Sequence, residues 1–173
     1  MKKYVDQIVI SEPNWCVPAV MEMVLKHNGI GMFSQWDIAK QLDITPAEDE
    51  VDHKKWGAQI RKETLNDFFK KNMLPLHEEY IPIAHFLDDV FMVEKIEELL
   101  KNNISVVCGY NYMWLYGNQE DTFQHVSIIT EVMPNNELRL LDPGPREAGY
   151  KNVNAEDLYY AIKAAHDGLW CIS

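Results

Sequence analysis

The spacing of apolar residues changes character once along this chain, and the change limits the folds open to it. Up to about residue 102, apolar side chains recur at three- and four-residue intervals, the period of a helix with one buried face. From Ile104 the apolar runs become short, β-branched and separated by turn residues, as in the strands of an antiparallel sheet. Helices first and strands second define an α+β chain, with a helical half packed on an antiparallel sheet; alternating βαβ units would interleave the two patterns.

In chain order, residues 1–10 read as an extended lead-in carrying Val5, Ile8, Val9 and Ile10. Helices are expected over 16–27, over 34–42 behind the capping signal Ser34-Gln-Trp-Asp37, and over 58–71. An acidic connection occupies 43–52, and 77–83 reads as a short strand or extended link. A further helix is expected over 88–102, followed by strands over 104–110, 125–132 and 137–142. Gly117 to Asp121 is a loop, Pro134-Asn-Asn136 a hairpin turn, and Pro143-Gly-Pro145 a strand breaker. Asn154 caps a helix through Ala165, and a closing strand covers 169–172.

At 173 residues, 47% of them hydrophobic, the chain can bury a sizeable core, and a single domain over 1–173 is expected. A net charge of −11 with no Lys/Arg cluster speaks against nucleic-acid and anionic-membrane partners. No apolar run approaches the ~18 residues of a membrane span, and the charged start Met1-Lys-Lys-Tyr-Val-Asp6 lacks a secretory core. A cytoplasmic protein is therefore expected. Cys16, Cys108 and Cys171 are an odd number at wide spacing, which suits a reducing compartment. Neither Cys-x-x-Cys nor His-Glu-x-x-His occurs, so no metal and no other cofactor is expected.

Chemistry concentrates in three places. Ser11-Glu-Pro-Asn14 is turn sequence, and Pro18 suits only a first helical turn, so Cys16 falls at a helix N-terminus. Orphan N–H groups and the positive dipole end there favour an anionic sulfur. A thiol nucleophile needs a base, and the base needs an orienting group. Of the six histidines, His125 opens a strand directly after a polar loop, which sets it at the lip of the sheet. Asp142 ends the next strand of the same hairpin, 17 residues further on, where a carboxylate can hold an imidazole in one tautomer. The aromatics Trp15, Tyr112 and Trp114 are candidates for lining a substrate groove.

A Cys, His and Asp in this order, with helices before sheet, resembles the papain-like cysteine peptidases, and among them the bacteriocin-processing (double-glycine leader) peptidase-like group. The resemblance rests on Asn-Trp-Cys-Val-Pro-Ala-Val-Met-Glu-Met-Val-Leu over 14–25, His-Val-Ser-Ile-Ile-Thr-Glu-Val over 125–132 and Leu-Arg-Leu-Leu-Asp-Pro-Gly over 138–144. It implies a papain-like fold with Cys16 as nucleophile, His125 as base and Asp142 as orienting group. It also implies an oxyanion-stabilising glutamine a few residues before the cysteine. Here Ile10 stands six residues ahead of Cys16 and the nearest glutamine, Gln7, nine, so Gln7 and Asn14 are the oxyanion candidates. Val17 replaces the glycine that usually follows the cysteine.

The expected activity is hydrolysis of a peptide or small amide through a Cys16 thioester. Two alternatives stay open on the residues alone: an acyltransferase using the same thioester, and a non-catalytic binding module on the same scaffold. Oligomeric state leaves no mark on the sequence.

Overall fold

A computed structural model describes residues 4, 8–11, 14–44, 64–119, 123–144 and 148–173. The expected acidic connection beyond Ile44 and the first part of the expected helix over 58–71 lie outside the described residues. The chain divides into two compact units, one of Tyr4–Glu78 with Pro143–Gly149, the other chiefly Glu79–Asp142 with Tyr150–Ser173.

The first of these holds α1 (Cys16–His27), α2 (Gln35–Gln41) and α3 (Thr64–Lys71). Along α1, Val17, Ala19, Val20, Met21, Met23, Val24 and Leu25 are all buried, more than one stripe's worth, so this helix is enclosed rather than laid on a surface. Ser34 starts α2 as foreseen: Asp37 N–H donates to Ser34 Oγ (3.3 Å) and Ser34 N–H donates to Asp37 Oδ2 (3.0 Å), a reciprocal box with Asp in the usual Glu position. Gln35 is buried and straps down the lead-in to Cys16: its Nε2 donates to Val9 O (2.8 Å) and its Oε1 accepts from Ser11 N–H (2.9 Å). Between those two residues, Ile10 N–H donates to Pro143 O (3.0 Å).

The other unit is built on a six-stranded antiparallel sheet ordered β1-β6-β2-β3-β4-β5. The strands are β1 (Glu78–Pro82), β2 (Ser105–Asn111), β3 (Gln124–Met133), β4 (Glu137–Asp142), β5 (Gly149–Asn154) and β6 (Gly168–Ile172). Helices α4 (Asp89–Lys101) and α6 (Ala155–Ala164) cover one face. Met92, Ile96 and Leu99 of α4 and Leu158, Ala161 and Ile162 of α6 share a core with Val106, Cys108 and Tyr110 of β2, Ile129 of β3 and Leu140 of β4. Val106, Cys108 and Tyr110 are each two apart along β2, the period of one sheet face. Every residue of β2 is buried, so both faces of this strand are covered.

A 3-10 turn at Ile83–His85, a further helical turn and an edge strand were not expected. Tyr112-Met-Trp-Leu-Tyr116 forms a single helical turn, α5, capped by Asn111, whose side chain accepts from Met113 N–H (3.1 Å). Five consecutive apolar residues carry no readable period. Gly-Tyr-Lys-Asn-Val-Asn forms β5, an edge strand in which only Gly149 and Val153 are buried. Edge strands need no continuous apolar run, so its polar sequence gave no strand signal. No helix of the described residues is long and apolar enough to cross a membrane.

The helix ends share one device. After α1, Gly29 N–H donates to Lys26 O and Ile30 N–H to Leu25 O, with Gly29 at φ +79°, which closes the last carbonyls in a left-handed cap. The same pair of bonds follows α3, where Met73 N–H reaches Lys70 O and Leu74 N–H reaches Phe69 O, but the left-handed residue is Met73 at φ 53°. A side chain with a Cβ is strained there, and Met73 is 91% exposed, so its side chain returns little. Met73→Gly is expected to stabilise the protein by roughly 0.5–1 kcal/mol in urea unfolding.

Asp167 follows the cap of α6. Its Oδ1 accepts from Gly168 N–H (2.8 Å), Trp170 Nε1–H (3.2 Å) and Tyr80 O–H (3.3 Å), and Gly109 leaves room for the carboxylate where any Cβ would strike it. Burial nevertheless raises this carboxyl above its usual value, against those hydrogen bonds. A raised native-state value means that the folded form holds its proton longer than the unfolded form. Stability then falls as pH rises from the ordinary carboxylate range to the raised value. Asp167→Asn keeps an acceptor without the charge, and its unfolding free energy is expected to lack that decline, read by urea titrations from pH 4 to pH 7.

Candidate active site

On the sheet, His125 is the second residue of β3 and lies directly across from Tyr110 of β2. Ile128 pairs with Leu141 in the β3–β4 register, so continuing one step sets Asp142 across from Ser127. Asp142 is then the diagonal neighbour of His125 on the same face, a separation that an imidazole and a carboxylate together can span. They do: His125 Nε2 and Asp142 Oδ1 are 2.9 Å apart. A carboxylate partner places the proton on Nε2 and makes Nδ1 the basic nitrogen.

The pair is dry. Asp142 is 0% exposed and His125 2%, so the histidine expected at an open lip of the sheet is enclosed instead. Aromatic rings enclose it: Tyr110 and Tyr112 meet the imidazole edge-to-face at 5.6 and 5.5 Å between centroids, and Phe123 stacks at 6.4 Å. Burial, and then the negative charge of Asp142, pushes the hydroxyls of Tyr110 and Tyr116 up, so both stay neutral. Tyr110 Oη is within 3.0 Å of Ser127 Oγ, which ties the ring's far end to the strand that carries His125.

In the other unit, Cys16 is the first residue of α1. Trp15 caps the helix without a side-chain hydrogen bond, and the first turn holds no acidic residue. The opening amides are therefore not taken up by a capping side chain, and no carboxylate opposes an anion there. Cys16 is a half-buried free thiol, whereas Cys108 and Cys171 are buried. Burial, then the charge of Asp167, pushes the Cys108 thiol far up, so it stays inert.

The remaining candidates take different positions. Trp15 is 1% exposed and packs with Ala39 and Ile44, edge-to-face on the exposed Trp36 (4.5 Å). It also borders a cleft of about 430 Å3 shared with Trp36 and Lys40. Asn14 is half-buried just ahead of the helix. Val17 is 3% exposed, so its side chain does not project into solvent beside the thiol. Tyr112 faces His125, as above, while Trp114 packs partly buried against the core of the sheet unit. Gln7 lies outside the described residues. Sequence reasoning missed Lys151, whose Nζ is 3.2 Å from Asp142 Oδ2. Its one signal was a lone lysine within a polar segment. Among the described residues, no group of three or more His, Cys, Asp or Glu could hold a metal ion.

Helices in the first half and an antiparallel sheet in the second form the α+β arrangement of a cysteine peptidase-type fold. Residues 2–166 match the Peptidase_C39 like family, and the chain belongs to it. No curated protein matches the sequence.

The Tyr110–Ser127 bond is buried at both ends, so removing one partner strands the other. Tyr110→Phe is expected to cost about 1–2 kcal/mol in chemical unfolding, and Tyr110→Phe with Ser127→Ala less than the two single losses together.

Proposed function

We propose that this protein is a cysteine-dependent hydrolase of peptide or other amide bonds. The observation that carries the reading is the buried 2.9 Å contact between His125 Nε2 and Asp142 Oδ1 in a chain of this family. A water-excluded imidazole held in a single tautomer by a carboxylate is the arrangement that a general base requires.

In the proposed reaction, His125 Nδ1 takes the proton of Cys16, and the sulfur attacks the carbonyl carbon of the scissile amide. Negative charge collects on the carbonyl oxygen, for which the first amides of α1 and the Asn14 side chain are the candidate donors, with Gln7 a further one. The C–N bond then breaks, and the imidazolium gives its proton to the departing amine. Water, deprotonated by His125, attacks the thioester and releases the acid and the free thiol. Asp142 remains ionised throughout and supports the imidazolium in each half-reaction. No cofactor takes part in these steps, and the substrate is the partner the scheme needs.

The rate of Cys16 alkylation by iodoacetamide against pH, followed by peptide mapping, tests this. Cys16 is expected to react well below the pH of an ordinary thiol, whose reference pKa is about 8.5, and His125→Ala to abolish that reactivity. A Cys16 that follows an ordinary thiol profile in both proteins would show that the site is not an activated pair, and would favour a binding module.

A further inference from the structure

His125 and Lys151 both meet Asp142, and the hydrolytic scheme uses only the first. His125 takes Oδ1, while Lys151 on β5 brings Nζ to 3.2 Å from Oδ2, an ion-pair distance without a well-directed hydrogen bond. The carboxylate is 0% exposed and the lysine side chain 16%, so neither partner is an ordinary surface charge. Nζ also lies 4.9 Å from the ring centroid of Tyr116 and 5.7 Å from that of Tyr112, so aromatic faces as well as the carboxylate hold the ammonium.

This cation bears on the imidazole in two ways. A carboxylate with no access to water tends to take up a proton, and a contacting ammonium opposes that by favouring the ionised form. The same ammonium offsets the attraction of Asp142 for an imidazolium, which an unshielded buried carboxylate would hold protonated through neutral pH. A base that takes the Cys16 proton must also give it up to the leaving amine, so limiting the pull of Asp142 acts in its favour. Among the described residues, the titratable groups near the pair include Cys108 and Tyr110 on β2 and Tyr112 and Tyr116 on α5. Cys108, Tyr110 and Tyr116 are pushed up and remain uncharged, whereas Lys151 places a cation against Asp142.

We propose that Lys151 is a positioning residue: it keeps Asp142 ionised and offsets the pull of that carboxylate on an imidazolium, so that His125 keeps one proton on Nε2 and can both take up and release the other at Nδ1. The role rests on the reading of His125 as a general base. Its signature is nonetheless a property of the imidazole itself, readable whether or not Cys16 reacts.

The test follows the His125 ring by 15N and 13C NMR against pH in the full chain, assigned with His125→Ala. Lys151→Met is expected to raise the titration midpoint by about one unit or more, and Lys151→Arg to return it toward that of the unaltered protein. Lys151→Gln, whose amide can still donate to Oδ2, is expected to raise it as well, and serves should the methionine variant fail to fold. A midpoint that is unchanged or lowered in the folded neutral variants overturns the proposal. A raised midpoint alongside an ordinary Cys16 alkylation profile would sink the hydrolase reading and leave the Lys151–Asp142–His125 coupling in place.

Discussion

The hydrogen bond between His125 and Asp142 depends on strand register more than on either residue. Both lie on one sheet face because Tyr110, His125 and Asp142 sit at positions of equal parity in β2, β3 and β4. Slipping β4 against β3 by one residue would turn Asp142 to the opposite face and bring Leu141 to the imidazole. The register is held by the apolar residues deeper in the same strands, Ile129 and Leu140 among them, which cannot slip without leaving the core they share with α4 and α6. The core thus fixes the site's geometry, and the site in turn puts a charged group inside the core. Breaking the pair at either end would leave a buried polar group without its partner.

The cysteine rests on a different kind of support. It opens a helix whose residues 17–25 are almost all buried. Gln35 fixes the approach by tying Val9 and Ser11, on either side of Ile10, to the head of α2. A side chain at the start of an enclosed helix, preceded by a strapped segment, has little freedom to wander. That also accounts for Trp15, which the sequence marks as a groove residue. A 1% exposed indole against Ala39 and Ile44 does more to seat the start of α1 than to meet a substrate.

Most of this could be read from residue order, for reasons that are local. Cys16–His27 and Glu137–Asp142 fall at the expected bounds because their ends are written in turn chemistry, Asn28-Gly29 after the helix and Pro143-Gly144 after the strand. His125 and Asp142 were legible as a pair because a hairpin is the one tertiary contact that chain proximity can announce. The burial of His125 was not legible, since it comes from Tyr110 of β2, from Phe123 just ahead of β3 and from Tyr112 of α5, a turn too short to carry a period. Lys151 was out of reach for the same reason. It lies on an edge strand that looks like a polar loop, and nothing in Gly-Tyr-Lys-Asn-Val-Asn says that the lysine turns inward.

A second carboxylate in the same unit shows why that lysine matters. Asp167 is only partly buried and receives three neutral donors, from Gly168, Trp170 and Tyr80. Burial still outweighs them, and its carboxyl is raised above the usual range. Asp142 is enclosed completely. Neutral donors that fail to hold down a half-buried carboxyl would fail more badly for one with no solvent at all, because desolvation grows with burial while each hydrogen bond stays about the same. Of the contacts described at the two carboxylates, a full positive charge is present only at Asp142, in the ammonium 3.2 Å from Oδ2. In the proposed scheme, the difference between a carboxyl left to drift upward and one able to orient a base is a lysine on an edge strand.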